Sequence, residues 1–300
     1  MLDLGTWDLV VCTGSAGFLG RRVRQRIHPL QPVLEVQSPR RAAAHGDGVI
    51  SSDVSVDQFA EHLSGRESIL VLHLATRYVA SGSTHDVADL LESNVAFPTR
   101  IVQAAISTSP RVRIVNPSSV FQYHGPNHDR PISLYAASKE AFRRILLGFT
   151  ESSNLQVADI VLGDTFAEHD HRQKLIPYLV RCAASGLTAR LGSGRQMMSL
   201  MHADDAVDAF AAAARVADVE FATDGFLTWE PVGSLTRTVG EVVAMIHNEF
   251  EGRPVCSFDA SLDRPREMRI GIDQIGLPTL PGFVASRSFA DTIRTIRRNG

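Results

Sequence analysis

The chain has 300 residues, 44% hydrophobic and 21% charged, with a formal net charge of −3, which suits a globular protein with one sizeable core or a core plus a smaller lobe. Near-balanced charge argues against a polyanion-binding surface, so nucleic acid is not an expected partner, although Arg21-Arg22 and Arg40-Arg41 can still meet phosphates. No segment approaches the roughly 20 apolar residues of a membrane span, and Met1-Leu2-Asp3-Leu4-Gly5 lacks the regions of a signal peptide, so no membrane is expected and the location implied is cytoplasmic.

In chain order, the apolar run Leu9 to Thr13 reads as a first strand and Phe18 to His28 as a helix. Between them, Thr-Gly-Ser-Ala-Gly-Phe-Leu-Gly sets Gly14, Gly17 and Gly20 where a strand turns into a helix, so that backbone N–H groups can face a dinucleotide pyrophosphate. Pro32 to Gln37 is the second strand, followed by Ser38-Pro39-Arg40-Arg41. If that strand ends near Gln37, Ser38, Arg40 and Arg41 lie on the ribose side, where a guanidinium pairs with a 2′-phosphate and favours NADP(H). If the strand is shorter, Glu35 is its terminal acid and NAD(H) is the alternative.

Asp57 to Leu63 reads as a helix, Ser68 to Leu74 as a buried strand, Val87 to Ser107 as one long helix and Val112 to Pro117 as a strand. Next come Tyr135 to Ser152 as a helix and Gln156 to Leu162 as a strand. This alternation predicts an α/β fold with a doubly wound parallel sheet and ligands at the carboxyl ends of its strands. Asn116-Pro117-Ser118-Ser119 should emerge at that edge. Tyr135 and Lys139, four residues apart on one helical face, set a phenol beside an ammonium that can lower its pKa. Further helices are expected at Leu175 to Ser185, Asp204 to Ala214 and Ser234 to Glu249, the alanine-rich Ala209 to Ala214 reading as close helix packing.

Cys12, Cys182 and Cys256 are odd in number and widely separated, which fits reduced structural thiols. No metal is expected: His169 and His171 point to opposite sides of an extended segment and read as a solvated loop. Asp204 is expected to cap the helix it begins.

Gly-x-x-Gly-x-x-Gly, Tyr135-Ala-Ala-Ser-Lys139 and His202-Ala203-Asp204-Asp205-Ala206-Val207 together resemble the extended branch of the short-chain dehydrogenase/reductase superfamily, which acts largely on nucleotide sugars. The resemblance implies a Rossmann domain over residues 1–165 and a smaller substrate lobe over 166–300, with elements at about 187–228 returning to the main sheet. It also implies an NAD(P)-dependent homodimer with a nucleotide-sugar substrate. Ser119 (Ser118 the alternate) would hold the substrate oxygen, Tyr135 would move the proton, and Lys139 would hold the cofactor ribose and tune Tyr135. Gly14, Ser15, Gly17, Phe18, Leu19 and Gly20 would take the pyrophosphate turn, Asp53-Val54 the adenine, and Leu74-Ala75-Thr76 the ribose passage. Asn94 matches the family's structural asparagine, with a helix-interior polar residue as the alternative.

On the substrate side, Lys174-Leu175-Ile176-Pro177 resembles a stretch of sugar-nucleotide 4-ketoreductases and epimerases, giving Lys174 a diphosphate contact or the plain place of a surface lysine starting a helix. Arg195, before Met197-Met198-Ser199-Leu200, borders the nucleotide, and Arg264 in Arg264-Pro265-Arg266-Glu267 matches a phosphate-pairing arginine. Related 4,6-dehydratases carry a Thr-Asp-Glu run where this chain reads Ser118-Ser119-Val120, which disfavours dehydration. The leading expectation is an NADPH-dependent 4-ketoreductase of a nucleotide-linked 4-keto-6-deoxysugar. The alternatives are a nucleotide-sugar epimerase retaining NAD and a non-catalytic NADP-binding redox sensor.

Overall fold

The computed structural model describes residues 1–43, 49–78, 87–125, 127–253, 256–264 and 266–299. In chain order its first half contains β1 (Leu9–Thr13), α1 (Phe18–Arg26), β2 (Val33–Gln37), α2 (Pro39–Ala42), β3 (Val49–Ser51), α3 (Val56–Leu63), β4 (Ser68–His73), α4 (Val87–Leu91), α5 (Phe97–Thr108), β5 (Arg111–Ser119), α6 (Leu134–Ser152) and β6 (Leu155–Leu162). The second half adds β7 (Asp164–Phe166), α7 (Leu175–Ser185), β8 (Ala189–Leu191), β9 (Met197–His202), α8 (Ala203–Arg215), β10 (Phe226–Trp229), β11 (Leu235–Thr238), α9 (Val239–Glu249), β12 (Cys256–Phe258) and α10 (Phe289–Asn299).

A seven-stranded sheet runs in the order β10-β6-β5-β4-β1-β2-β3, and every pairing in it is parallel. Both faces are covered, which is why β1 reads Leu-Val-Val-Cys without alternation. Val10 and Cys12 pack toward α8 together with Leu70, Leu72, Val115 and Ile160. Leu9 and Val11 pack toward α3, α5 and α6 together with Ile69, Val71, Ile114, Phe59, Phe142 and Leu146. The chain order reverses between β1 and β4, and the crevice that this reversal opens at their carboxyl ends is where a doubly wound sheet takes its ligands.

The second half builds its own core from α7, α9, α10 and the two smaller sheets. Within 187–228, α8 packs on α1 and on the main sheet, and β10 pairs with β6, whereas β8 and β9 belong to the small sheets. The residues Ala209 to Ala214 are all buried, the five alanines letting α8 lie close to its neighbours and Phe210 filling the core beside them.

Four local expectations change. The helix expected over Val87 to Ser107 is split by a π-helical turn, Glu92–Ala96, where Asn94 bonds outside its own helix and Pro98 enters the next. The helix expected from Ser234 starts only at Val239, because β-branched Thr236 and Thr238 pair with β9 and Thr238 then forms a capping box with Glu241. The cap of α8 is His202, whose Nδ1 accepts from the Asp204 N–H at 3.1 Å, and Asp204 instead meets Arg22 at 3.3 Å. The helix bearing Tyr135 starts one residue early, at Leu134, capped by Ser133.

His169 and His171 are exposed. Cys12 and Cys182 are buried, Cys256 is partly buried, and all three are free thiols. Among the described residues no helix is long and apolar enough to cross a membrane.

Candidate active site

Two cavities adjoin at the carboxyl ends of β1, β4 and β5, sharing Gly17, Leu74 and Thr76. The first, about 470 Å³, runs from Gly14 past Gln37 and Ser38 to Arg41, Ser52 and Glu92. The second, about 320 Å³, holds Phe18, Leu19, His73, Ser118, Ser119, Tyr135, Lys139, Asp164, Arg172 and Lys174.

The glycine turn is made by close backbone approach. Gly14 has φ 66° and a Cβ there would lie 2.6 Å from the Ala75 nitrogen; a Cβ on Gly20 would lie 2.1 Å from the Gly14 carbonyl oxygen. Gly17 ends the turn as the cap of α1, and Phe18 and Leu19, whose N–H groups have no partner inside that nine-residue helix, line the second cavity. Ser15 lies beneath the turn: its hydroxyl donates to Glu35 at 2.5 Å and accepts from the Gln37 amide at 3.0 Å.

Strand β2 runs to Gln37, so Glu35 is not its terminal residue. Glu35 is occupied by Ser15, by Gln37 and by Arg24 at 2.9 Å. Its carboxylate fixes the Gln37 amide with Nε2 inward, leaving Oε1 buried at the cavity wall with no hydrogen-bond partner among the described residues. Sequence reasoning passed over that acceptor because a glutamine at a strand end carries no charge signal.

Of the two arginines after β2, Arg41 lines the first cavity and Arg40 is exposed outside its lining. Asp53 and Val54 also lie outside both linings: Asp53 accepts from the Ser51 hydroxyl and Val54 packs against the core, while the preceding Ser52 lines the first cavity. Asn94 is a tie beam. Its Oδ1 accepts from the Thr76 hydroxyl at 3.3 Å and the Arg77 N–H at 2.7 Å, and its Nδ2 donates to the Arg77 carbonyl at 3.0 Å and the Ser138 hydroxyl at 2.9 Å. It thereby fastens the Leu74-Ala75-Thr76 passage to α6.

At the end of β5 the two serines differ. The Ser118 hydroxyl donates to buried Asp159, which also accepts from Asn116 at 2.7 Å and Arg143 at 3.0 Å. The Ser119 oxygen accepts from the Phe121 N–H at 3.3 Å, which leaves its proton for a ligand in the cavity. The Ser119 backbone is itself held, its N–H donating to Gln122 at 2.8 Å, and Gln122 donates in turn to Glu140 at 2.9 Å.

Lys139 donates to the Pro117 carbonyl at 2.8 Å. Burial lowers its pKa to about 8, against the pull of Asp159 in the other direction. Burial raises the Tyr135 phenol to about 12, and the group that draws it back is the Thr76 hydroxyl. The expected lowering of Tyr135 by Lys139 is therefore corrected: the ammonium is turned to Pro117, and Thr76 takes that part. Beside them, His73 is buried with Nδ1 3.0 Å from the Thr13 hydroxyl, and burial and then Lys139 hold it well below the usual histidine range, hence neutral.

The outer wall is aromatic and cationic. Tyr78 stands edge-on to Tyr135 at 5.0 Å between centroids, and the Lys174 ammonium lies 3.5 Å above the Tyr78 ring. Arg172 stacks 3.5 Å from the Phe18 ring centre, held by Asp170 at 2.7 Å and the Thr165 carbonyl at 2.7 Å. Arg264 is exposed and hydrogen-bonds Tyr78 at the rim; Pro265 of its tract lies outside the described residues. Arg195 is elsewhere, paired with Ser193 at 3.2 Å and Asp263 at 3.8 Å and absent from both linings, because Gly194, at φ 76°, turns the chain just before it. The β5 end brings no carboxylate, as read, but Asp164 brings one from β7, a contributor that a single acid beyond a glycine did not announce.

A protonated phenol, a free serine hydroxyl and a buried lysine on one wall can hold a carbonyl oxygen and give it a proton. The model of the NAD-dependent epimerase/dehydratase family matches residues 10–222. The chain belongs to that family. It is an NAD(P)-dependent oxidoreductase of the extended short-chain dehydrogenase/reductase type, as its motifs implied.

It is 24% identical to CDP-abequose synthase of Yersinia pseudotuberculosis over 212 residues, which is 67% of this chain and 71% of that protein. The fold is similar to that of MoeE5 solved with UDP-glucose and NAD, at a TM-score of 0.77 and 23% identity over 97% of this chain and 99% of the other. It is similar as well to UDP-N-acetylglucosamine 4-epimerase from Methanobrevibacter ruminantium M1, solved with UDP-N-acetylmuramic acid, at a TM-score of 0.76 and 17% identity over 99% and 98% of the two chains.

Proposed function

We propose that this protein reduces the 4-keto group of a nucleotide-linked 4-keto-6-deoxyhexose with NADPH. The observation that carries the reading is a juxtaposition: Tyr135 of α6, its phenol raised to about 12 by burial, shares one cavity with Lys139 and with the Ser119 hydroxyl, whose proton no described residue accepts. A wall in that state is a proton donor waiting for an acceptor.

The first cavity fits a dinucleotide. Its glycine cradle admits backbone contact that a Cβ would block, α1 begins at Gly17 on the border shared with the second cavity, and the Gln37 Oε1, without a partner among the described residues, accepts from a ribose hydroxyl. Arg41 and Ser38 on the same wall favour a 2′-phosphate, with NAD(H) as the competing occupant. A bound nicotinamide dinucleotide supplies the reducing equivalents. Ser119 donates to the substrate oxygen, Tyr135 delivers its proton to the same oxygen, the Thr76 hydroxyl stabilises the phenolate left behind, and Lys139 holds the cofactor ribose. Arg172 and Lys174 offer the second cavity two cations suited to a diphosphate. The neighbours solved with nucleotide sugars, and the synthase relative, support a sugar nucleotide as the substrate class.

The test is turnover of 4-keto-6-deoxyglucose carried on CDP, dTDP or UDP, with NADPH. Loss of nicotinamide absorbance with one of them supports the reading; no loss with all three refutes it.

A further inference from the structure

Asp164 opens β7, which is fixed in place by its parallel pairing to β9, Asp164 opposite Leu200. The preceding Gly163 packs so closely that a Cβ there would lie 2.0 Å from the Ser199 carbonyl oxygen. The backbone that carries the carboxylate is thus pinned, and Asp164 lines the same cavity as Tyr135 and Lys139. No hydrogen bond or ion pair among the described residues uses its oxygens. Burial raises its pKa, and Lys174 and then Arg172 pull it back from a distance.

An ionised carboxylate lining a cavity accepts hydrogen bonds and gives none, so its partner must be a donor. A diphosphate has only acceptors and would be repelled; it is drawn to Arg172 and Lys174. An ammonium would add a third cation beside those two. A neutral hydroxyl is the partner that meets both conditions.

We infer that Asp164 is the specificity-determining acceptor for a ring hydroxyl of the hexose, so that the sugar is read by the carboxylate while its diphosphate is held by the cations. The inference rests on the nucleotide-sugar reading above and separates two halves of one ligand.

The experiment measures binding of CDP, dTDP and UDP, each free and as its glucose conjugate, to the wild-type chain, Asp164→Leu and Asp164→Asn. Melting temperature and NADPH affinity report whether each variant is folded. For the nucleotide that binds, Asp164→Leu is expected to weaken the conjugate roughly 10- to 100-fold, the range for a charge-assisted hydrogen bond, and to leave the free nucleotide unchanged. Asp164→Asn keeps a carbonyl acceptor and should lose less. Equal loss for conjugate and free nucleotide, or no loss for either, overturns the role of Asp164 while leaving the substrate class standing. A wild-type chain that binds no conjugate of the three overturns both.

Discussion

The Lys139 ammonium donates to the Pro117 carbonyl at 2.8 Å, one residue before the serines that end β5. This bond ties α6 to the carboxyl end of β5. It also buries the charge, which is why the lysine falls to about 8 from 10.5. Because the folded pKa lies below the unfolded one, the cost of burying the charge is fully present below about pH 8 and shrinks as pH rises toward 10.5. Lys139→Met is therefore expected to melt at or above the wild-type temperature at pH 7 and to lose that advantage above pH 8, while binding NADPH more weakly. A melting scan against pH checks the first part and a titration the second. A variant that melts far lower at pH 7 would mean that the Pro117 bond outweighs the buried charge.

Tyr135→Phe keeps the ring against Tyr78 and removes only the proton. Turnover should fall about 10²- to 10⁴-fold, the span for a lost general acid, with NADPH affinity close to wild type. Steady-state rates and a cofactor titration are sufficient. Because the phenol sits at about 12, wild-type reduction should show no loss from tyrosine ionisation below pH 10.

Arg41 lines the cofactor cavity and Arg40 does not. Arg41→Ala should weaken NADPH by about 10- to 100-fold, as expected for a charge-assisted phosphate contact, and change NADH little; Arg40→Ala should change neither. Equal effects of Arg41→Ala on both cofactors would move the 2′-phosphate elsewhere and favour a retained NAD.

Gly20→Ala tests the turn. Its Cβ would sit 2.1 Å from the Gly14 carbonyl oxygen, so α1 must shift away from the cavity. The expected cost is about 1–3 kcal/mol of stability, read by denaturant unfolding, with loss of NADPH binding.

What could be read in advance was local. The unalternating Leu9-Val10-Val11-Cys12, the glycine turn, and a tyrosine and lysine four apart carry their meaning within a few residues. The long helix over Val87 to Ser107 failed because Asn94 is bonded to Arg77 and Ser138, partners distant in sequence. Arg195 was misdirected because its side chain follows the turn at Gly194 rather than the strand after it. Asp164 and Gln37 were not singled out because each is informative only through what it lacks: a carboxylate and an amide oxygen that no described neighbour satisfies. That property belongs to the packed structure.

The central claim is that the chain consumes its cofactor rather than recycling it. The direct measurement is the ratio of NADPH oxidised to sugar nucleotide converted, with a 4-keto-6-deoxyhexose nucleotide in excess and no other reductant. A ratio of one to one, and no conversion without added NADPH, is the expected result. Product formed with no loss of nicotinamide absorbance would contradict it and assign the site to epimerisation.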